Sequence, residues 1–160
     1  MTKTEHPAYF EQQHERLDAQ LHAHLLDVVG GDFAGALQRL QQWRRDLDRH
    51  TEIENARLLP HVPEGARWDA RVYLLEHERI ALLADEYQQR VLAVINHPPQ
   101  AEQARGRAVL VLLDAAHALR HVLEHHNERE HIALAQELPL ELQKAAWADE
   151  SASQVRTPGS

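Results

Sequence analysis

At 160 residues the chain has the length of one domain, with enough material for a single core. It has no cysteine, which excludes disulfides, thiolate metal sites, iron–sulfur clusters and cysteine nucleophiles. A formal net charge of −8 argues against nucleic acid or an anionic membrane as partner, and apolar stretches such as Val109 to Leu113 are too short to cross a bilayer.

No signal-peptide pattern opens the chain, so a soluble, cytoplasmic protein is expected, as monomer or homodimer. Most of the six glycines and seven prolines cluster, at Gly30-Gly31, Pro60 to Gly65, Pro98-Pro99 and Pro158 to Ser160. Between them lie long stretches rich in Ala, Leu, Glu, Gln and Arg, an all-α composition.

The first helix is expected from Pro7 to Val29, since proline suits a first helical turn and Gly30 a C-terminal cap. Its inward line is Phe10, His14, Leu17, Leu21, Leu25 and Val28, at spacings of three and four. The second runs from Phe33 to Leu59 behind Asp32 as N-cap, lined by Leu37, Leu40, Trp43, Leu47, His50, Glu54 and Leu58. The third starts near Trp68 or Asp69 and fades by Ile95, lined by Ala70, Leu74, His77, Ala81, Ala84, Gln88 and Val91. The fourth starts between Ala101 and Arg107 and ends before Pro139, lined by Leu112, Ala116, Leu119, Leu123, His126, Glu130 and Leu134.

Short connections between long helices imply antiparallel neighbours, so residues 1–148 are expected to form an up-down-up-down antiparallel four-helix bundle. Leu140 to Ala148 reads as a short fifth helix that lays Trp147 on the bundle, and residues 149–160 read as a disordered tail.

Thirteen histidines are several times the usual number for this length, and each inward line carries one where leucine is expected: His14, His50, His77 and His126. Their depths match. His14 lies sixteen residues before Gly30 and His50 eighteen after Asp32, while His50 is ten before Pro60 and His77 nine after Trp68. At a rise of about 1.5 Å per residue, such mismatches amount to roughly 3–5 Å. The four histidines therefore share a layer.

Two of them have a glutamate one turn on, as His50-x-x-x-Glu54 and His126-x-x-x-Glu130, on the same helix face. Burying two carboxylates in an apolar core without cations costs several kcal/mol or forces them to protonate. Two metal ions supply the compensation, each held by histidines and bridged by glutamates. A dinuclear metal centre explains the pattern; an apolar core does not.

Lone His14, "HTEIENARLLP" on the second helix, "LEHERIALL" on the third and "HNEREHIAL" on the fourth resemble the hemerythrin-like HHE cation-binding family. The likeness spans about His6 to Leu138. It implies a hemerythrin-type bundle with two non-haem irons, oxo- or hydroxo-bridged. His14, His50, His77 and His126 would be terminal ligands, and Glu54 and Glu130 would bridge. The family's oxygen carriers pair a further histidine on the third helix and use an aspartate on the fourth. Here Tyr73 and Ala81 flank His77 by one turn, and Glu130 stands in the aspartate's place. Four terminal histidines and two bridging glutamates would fill eight of the twelve octahedral positions on two irons, and a shared oxygen two more. About one position then stays open on each iron, for oxygen, nitric oxide, peroxide or water.

The expectation is a diiron protein that binds oxygen or a related small ligand for sensing, storage or stress protection. Two alternatives are an enzyme acting on peroxide or nitric oxide or in iron-centre repair, and a structural or metal-buffering bundle with zinc or manganese. The family's repair proteins carry a cysteine-containing segment, and this chain has no cysteine. A signalling role would need a separate protein partner.

Other histidines point elsewhere. Glu11-x-x-His14 and Glu128-x-x-His131 match the motif of ferritin-like carboxylate proteins, but both glutamates lie off the inward lines. His117, His121 and His125 form a separate stripe, expected in solvent or supporting roles, with a second metal site as the alternative. No role is assigned to His6, His22, His24, His61, His97 or His131. The Tyr73 phenol either reaches the centre or belongs to a core tyrosine bonded elsewhere.

Overall fold

The structure is a computed structural model; it describes residues 9–155, with side chains described to residue 148. All regular structure among the described residues is helical. The helices are α1 (Tyr9–Val29), α2 (Phe33–Ile53), α3 (Ala70–Asn96), α4 (Glu102–Arg129) and α5 (Leu140–Val155). No described helix is long and apolar enough to cross a membrane.

The breaks lie where Gly, Pro and Asp place them. After α1, Gly31 takes φ of 76°, and the Asp32 N–H closes the turn on the Asp27 carbonyl at 2.9 Å. A Cβ at Gly31 would meet only the Arg105 side chain, at Cδ 2.9 Å, so it is the positive φ that calls for glycine here. Asp32 then caps α2, its carboxylate accepting from the Gly35 N–H at 2.9 Å, and Asp69 caps α3 from the Arg71 N–H at 3.0 Å. The expected start of the first helix at Pro7 lies outside the described residues.

α1 packs chiefly against α2 and α4, and α3 against the same two. The inward lines of α1, α2 and α4 are buried as expected, with Leu37 only half-buried. The line of α3 is corrected: Tyr73, His77, Ile80, Ala84, Tyr87 and Val91 face the core, while Leu74 is 38% exposed and Ala81 and Gln88 are half-buried. Both lines alternate spacings of three and four, and they differ by one residue at every second position. The structure takes the one that buries two tyrosine rings.

Two further departures concern helix ends. α5 runs on to Val155, past the boundary expected at 148; residues 156–160 lie outside the described set. α2 and α4 do not stay α-helical to their ends. They widen into π-helical turns at Glu54–Leu58 and Glu130–Leu134, each beginning at the glutamate of a His-x-x-x-Glu pair.

The core has two apolar clusters. One contains Leu17, Leu47, Ile80 and Leu123; the other contains Phe10, Ile53, Tyr73, Leu134 and Trp147. On every long helix the inward histidine sits in sequence between a member of each. The result is a polar layer sandwiched between two oily ones.

Candidate metal centre

Each long helix delivers one imidazole to this layer, and α2 and α4 add a carboxylate each through their π-helical turns. Widened turns of this kind recur at functional sites because they re-aim side chains without ending the helix. His14, His50, Glu54 and Glu130 form one group whose ligand atoms lie within 4.8 Å of one another. Glu54, His77, His126 and Glu130 form a second group within the same limit. The two groups share both glutamates. All six side chains named from the sequence are present, none more than 5% exposed.

Distances define the centre. Glu130 Oε1 lies 2.9 Å from His14 Nε2 and 3.2 Å from His126 Nε2. His50 Nε2 lies against Glu54 Oε1. His77 Nε2 stands 3.5 Å from Glu54 Oε2 and 3.8 Å from Glu130 Oε2, near enough to feel their charge but poorly placed for hydrogen bonds.

Three of the four imidazoles are fixed from behind. His77 Nδ1–H donates to Asn55 Oδ1 at 2.6 Å, and His126 Nδ1–H donates to Glu76 Oε1 at 3.3 Å. Arg129 holds Glu76 in turn, at 3.1 Å. His14 Nδ1 shares a hydrogen bond with His131 Nε2 at 3.1 Å, the rings stacked 11° apart. His50 has no such partner; the Trp147 ring lies on it at 4.8 Å and 18°. Locking one ring nitrogen outward turns the other inward, the arrangement that metal-ligating histidines require.

The charge balance of the protein alone is strained. Burial works against charge on His77, but the Glu130 and Glu54 carboxylates outweigh it and hold its pKa up at about 9. At His126 the Glu130 charge likewise overcomes burial and raises the pKa to about 10. Burial works against charge on Glu130, but the His126 charge, with polar contacts to Glu54, His126 and His14, holds its pKa well below the usual carboxylate range.

Protons alone leave the centre unsatisfied. His77 Nε2, Glu130 Oε2 and Glu54 Oε2 are buried without a hydrogen-bond partner, and His50 Nε2 lies against Glu54 Oε1 without forming a hydrogen bond. Each such atom costs roughly 1–3 kcal/mol in a dry interior. Cations between the two histidine pairs satisfy all of them together, so this donor set fits metal.

A cavity of about 20 Å³ adjoins the centre, lined by His14, His50 and His126 and walled by Leu17, Trp43, Leu47 and Ile80. That is room for one water-sized molecule.

The remaining histidines sort by depth. His117, His121 and His125 are exposed along α4, His121 stacked on His117 and edge-on to His125. Glu11 and Glu128 are exposed, outside the layer, which leaves the ferritin-like motifs without their carboxylates. His22, His61 and His97 are exposed, and His6 lies outside the described residues. His131 and His24, which had no role from sequence, have partners: His131 backs His14, and His24 is a fully buried link between Tyr87 and the Ala36 carbonyl. Glu76 and Asn55 were also missed. Their only sequence signal is position, one residue before His77 and one after Glu54. No family model, curated protein or solved structure matches the chain.

Proposed function

We propose that this is a non-haem diiron protein, an up-down-up-down bundle of hemerythrin type that binds oxygen, nitric oxide or peroxide. The observation that carries the reading is the pair of buried groups sharing Glu54 and Glu130. Two carboxylates common to two histidine pairs suit two ions side by side; a single ion would leave one pair without a role.

All donors are imidazole nitrogen or carboxylate oxygen, with no sulfur, and this suits iron, manganese or zinc in preference to soft ions. A small cavity lies against three of the histidines, lined by apolar side chains and by Asp18, Thr51 and Asn127. Iron is assigned because a ligand-sized space at the centre suits a metal that exchanges electrons with a small ligand. Such a space holds a diatomic or a peroxide and excludes larger substrates. Iron would supply electron exchange with that ligand. The chain fixes three of the imidazoles from behind, keeps the layer dry and limits the ligand's size.

Iron-loaded protein is predicted to change its near-ultraviolet and visible spectrum when oxygen or nitric oxide is added. A single reversible change marks binding, and repeated consumption of ligand marks an enzyme. Iron-loaded protein that responds to neither would contradict the proposal.

A further inference from the structure

We propose that the groove between α1 and α4 is the entrance to the centre, and that its acidic rim admits neutral small molecules in preference to anions. The inference rests on the dinuclear reading above and adds a route and a selectivity to it.

The observation is a continuity of spaces. An open groove of about 450 Å³ runs between α1 and α4, with Glu15, Asp18, His22, Arg120, Leu123 and Glu124 among its walls. The small cavity against His14, His50 and His126 lies beneath it, and Asp18 and Leu123 line both. These two side chains are therefore the partition between solvent and the centre. Two other hollows, one beside Val62 to Ala70 and one beside Tyr87, touch none of the six site residues.

The rim carries three carboxylates, Glu15, Asp18 and Glu124, against Arg120 and His22. Three carboxylates against two basic side chains leave its charge negative. A pair of cations below draws anions in, and the rim works against that attraction for anything that must pass it. A neutral molecule such as oxygen, nitric oxide or hydrogen peroxide meets neither effect. It has only to pass between the Asp18 and Leu123 side chains. The centre thereby takes up uncharged ligands while chloride and similar abundant anions are slowed.

The test uses the iron-loaded full chain, with azide as the anionic probe and nitric oxide as the neutral one, mixed rapidly at low salt. Asp18→Asn and Glu124→Gln each speed azide association about three-fold or more, an effect that shrinks as salt is raised. Nitric oxide association stays at the wild-type rate in both. Ala19→Trp, at the exposed mouth and away from the core, slows both probes; Leu123→Trp slows them further. Azide rates unmoved by both charge removals, or either probe unaffected by Ala19→Trp, overturn the route. Metal content is counted on every sample. A wild-type chain without two bound ions overturns the reading of the centre and this inference with it, whereas two ions with unmoved rates overturn the route alone.

Discussion

His125 and His126 are adjacent in the chain and face opposite environments. His126 is 3% exposed with Nε2 3.2 Å from Glu130 Oε1, whereas His125 is exposed and packs its ring on His121 at 4.5 Å. His126→Ala is therefore predicted to lose at least one ion, while His125→Ala and His121→Ala keep two, as counted by elemental analysis. Tyr73 makes a second prediction at this scale. Its ring is fully buried among apolar neighbours and its hydroxyl has no hydrogen-bond partner. Burial, with the negative charges of Glu137 and Glu130, pushes the phenol up to about 12. In the proposed diiron form, two cations in the layer would reverse that field and favour the phenolate. Tyr73→Phe is then predicted to remove a visible charge-transfer band from the ferric protein and to strengthen azide binding. An unchanged spectrum and unchanged azide affinity would leave Tyr73 as core packing.

The helices themselves were legible because Gly, Pro and Asp mark their ends, and three inward lines were legible because Leu and His repeat at helical spacing. The line of α3 was not. Tyr73 and Tyr87 carry a polar atom, which makes Leu74 and Gln88 look equally suited to the inner face, and only packing against the other helices decides. The six site residues could be named because each stands in an apolar line. Their supports could not: His131 lies 117 residues from His14, and Glu76 lies 50 from His126, so only tertiary structure brings each pair together. The π-helical turns, each starting at a buried glutamate, have no local sequence signal either.

His24 shows what a buried histidine does without metal. Its Nδ1–H donates to the Ala36 carbonyl at 2.6 Å, and its Nε2 accepts from the Tyr87 hydroxyl at 2.6 Å, tying α1 to α2 and α3. Burial lowers its pKa from the usual 6.5. A depressed histidine pKa means that the unfolded chain takes up the proton more readily. The stability this residue supplies is thus complete above about pH 6.5 and is lost as pH falls below it. His24→Gln is predicted to cost roughly 2–4 kcal/mol at pH 7 through a lost packing volume and a disturbed Tyr87 hydroxyl. In denaturant titrations the gap between wild type and variant narrows from pH 7 to pH 5. A gap that stays constant would contradict the account.

Across the whole molecule, the centre is a polar stratum closed above and below by apolar clusters, with Trp147 of α5 as part of the cover over His50. In the protein without ions, protons on His77 and His126, with pKa values raised to about 9 and 10, offset the carboxylates at neutral pH. Loading must displace those protons, so affinity rises with pH and falls on acidification. For the ion-free fold the sign is opposite. Raised histidine pKa values stabilise fully below about pH 6.5, and that contribution is lost as pH climbs through 9 to 10. The most direct test of the central claim is elemental analysis of the protein across pH, purified without added metal and again after reconstitution. The account predicts two ions per chain near neutral pH, with iron the metal, released together as the pH is lowered. One ion or none in the reconstituted protein at neutral pH would contradict it.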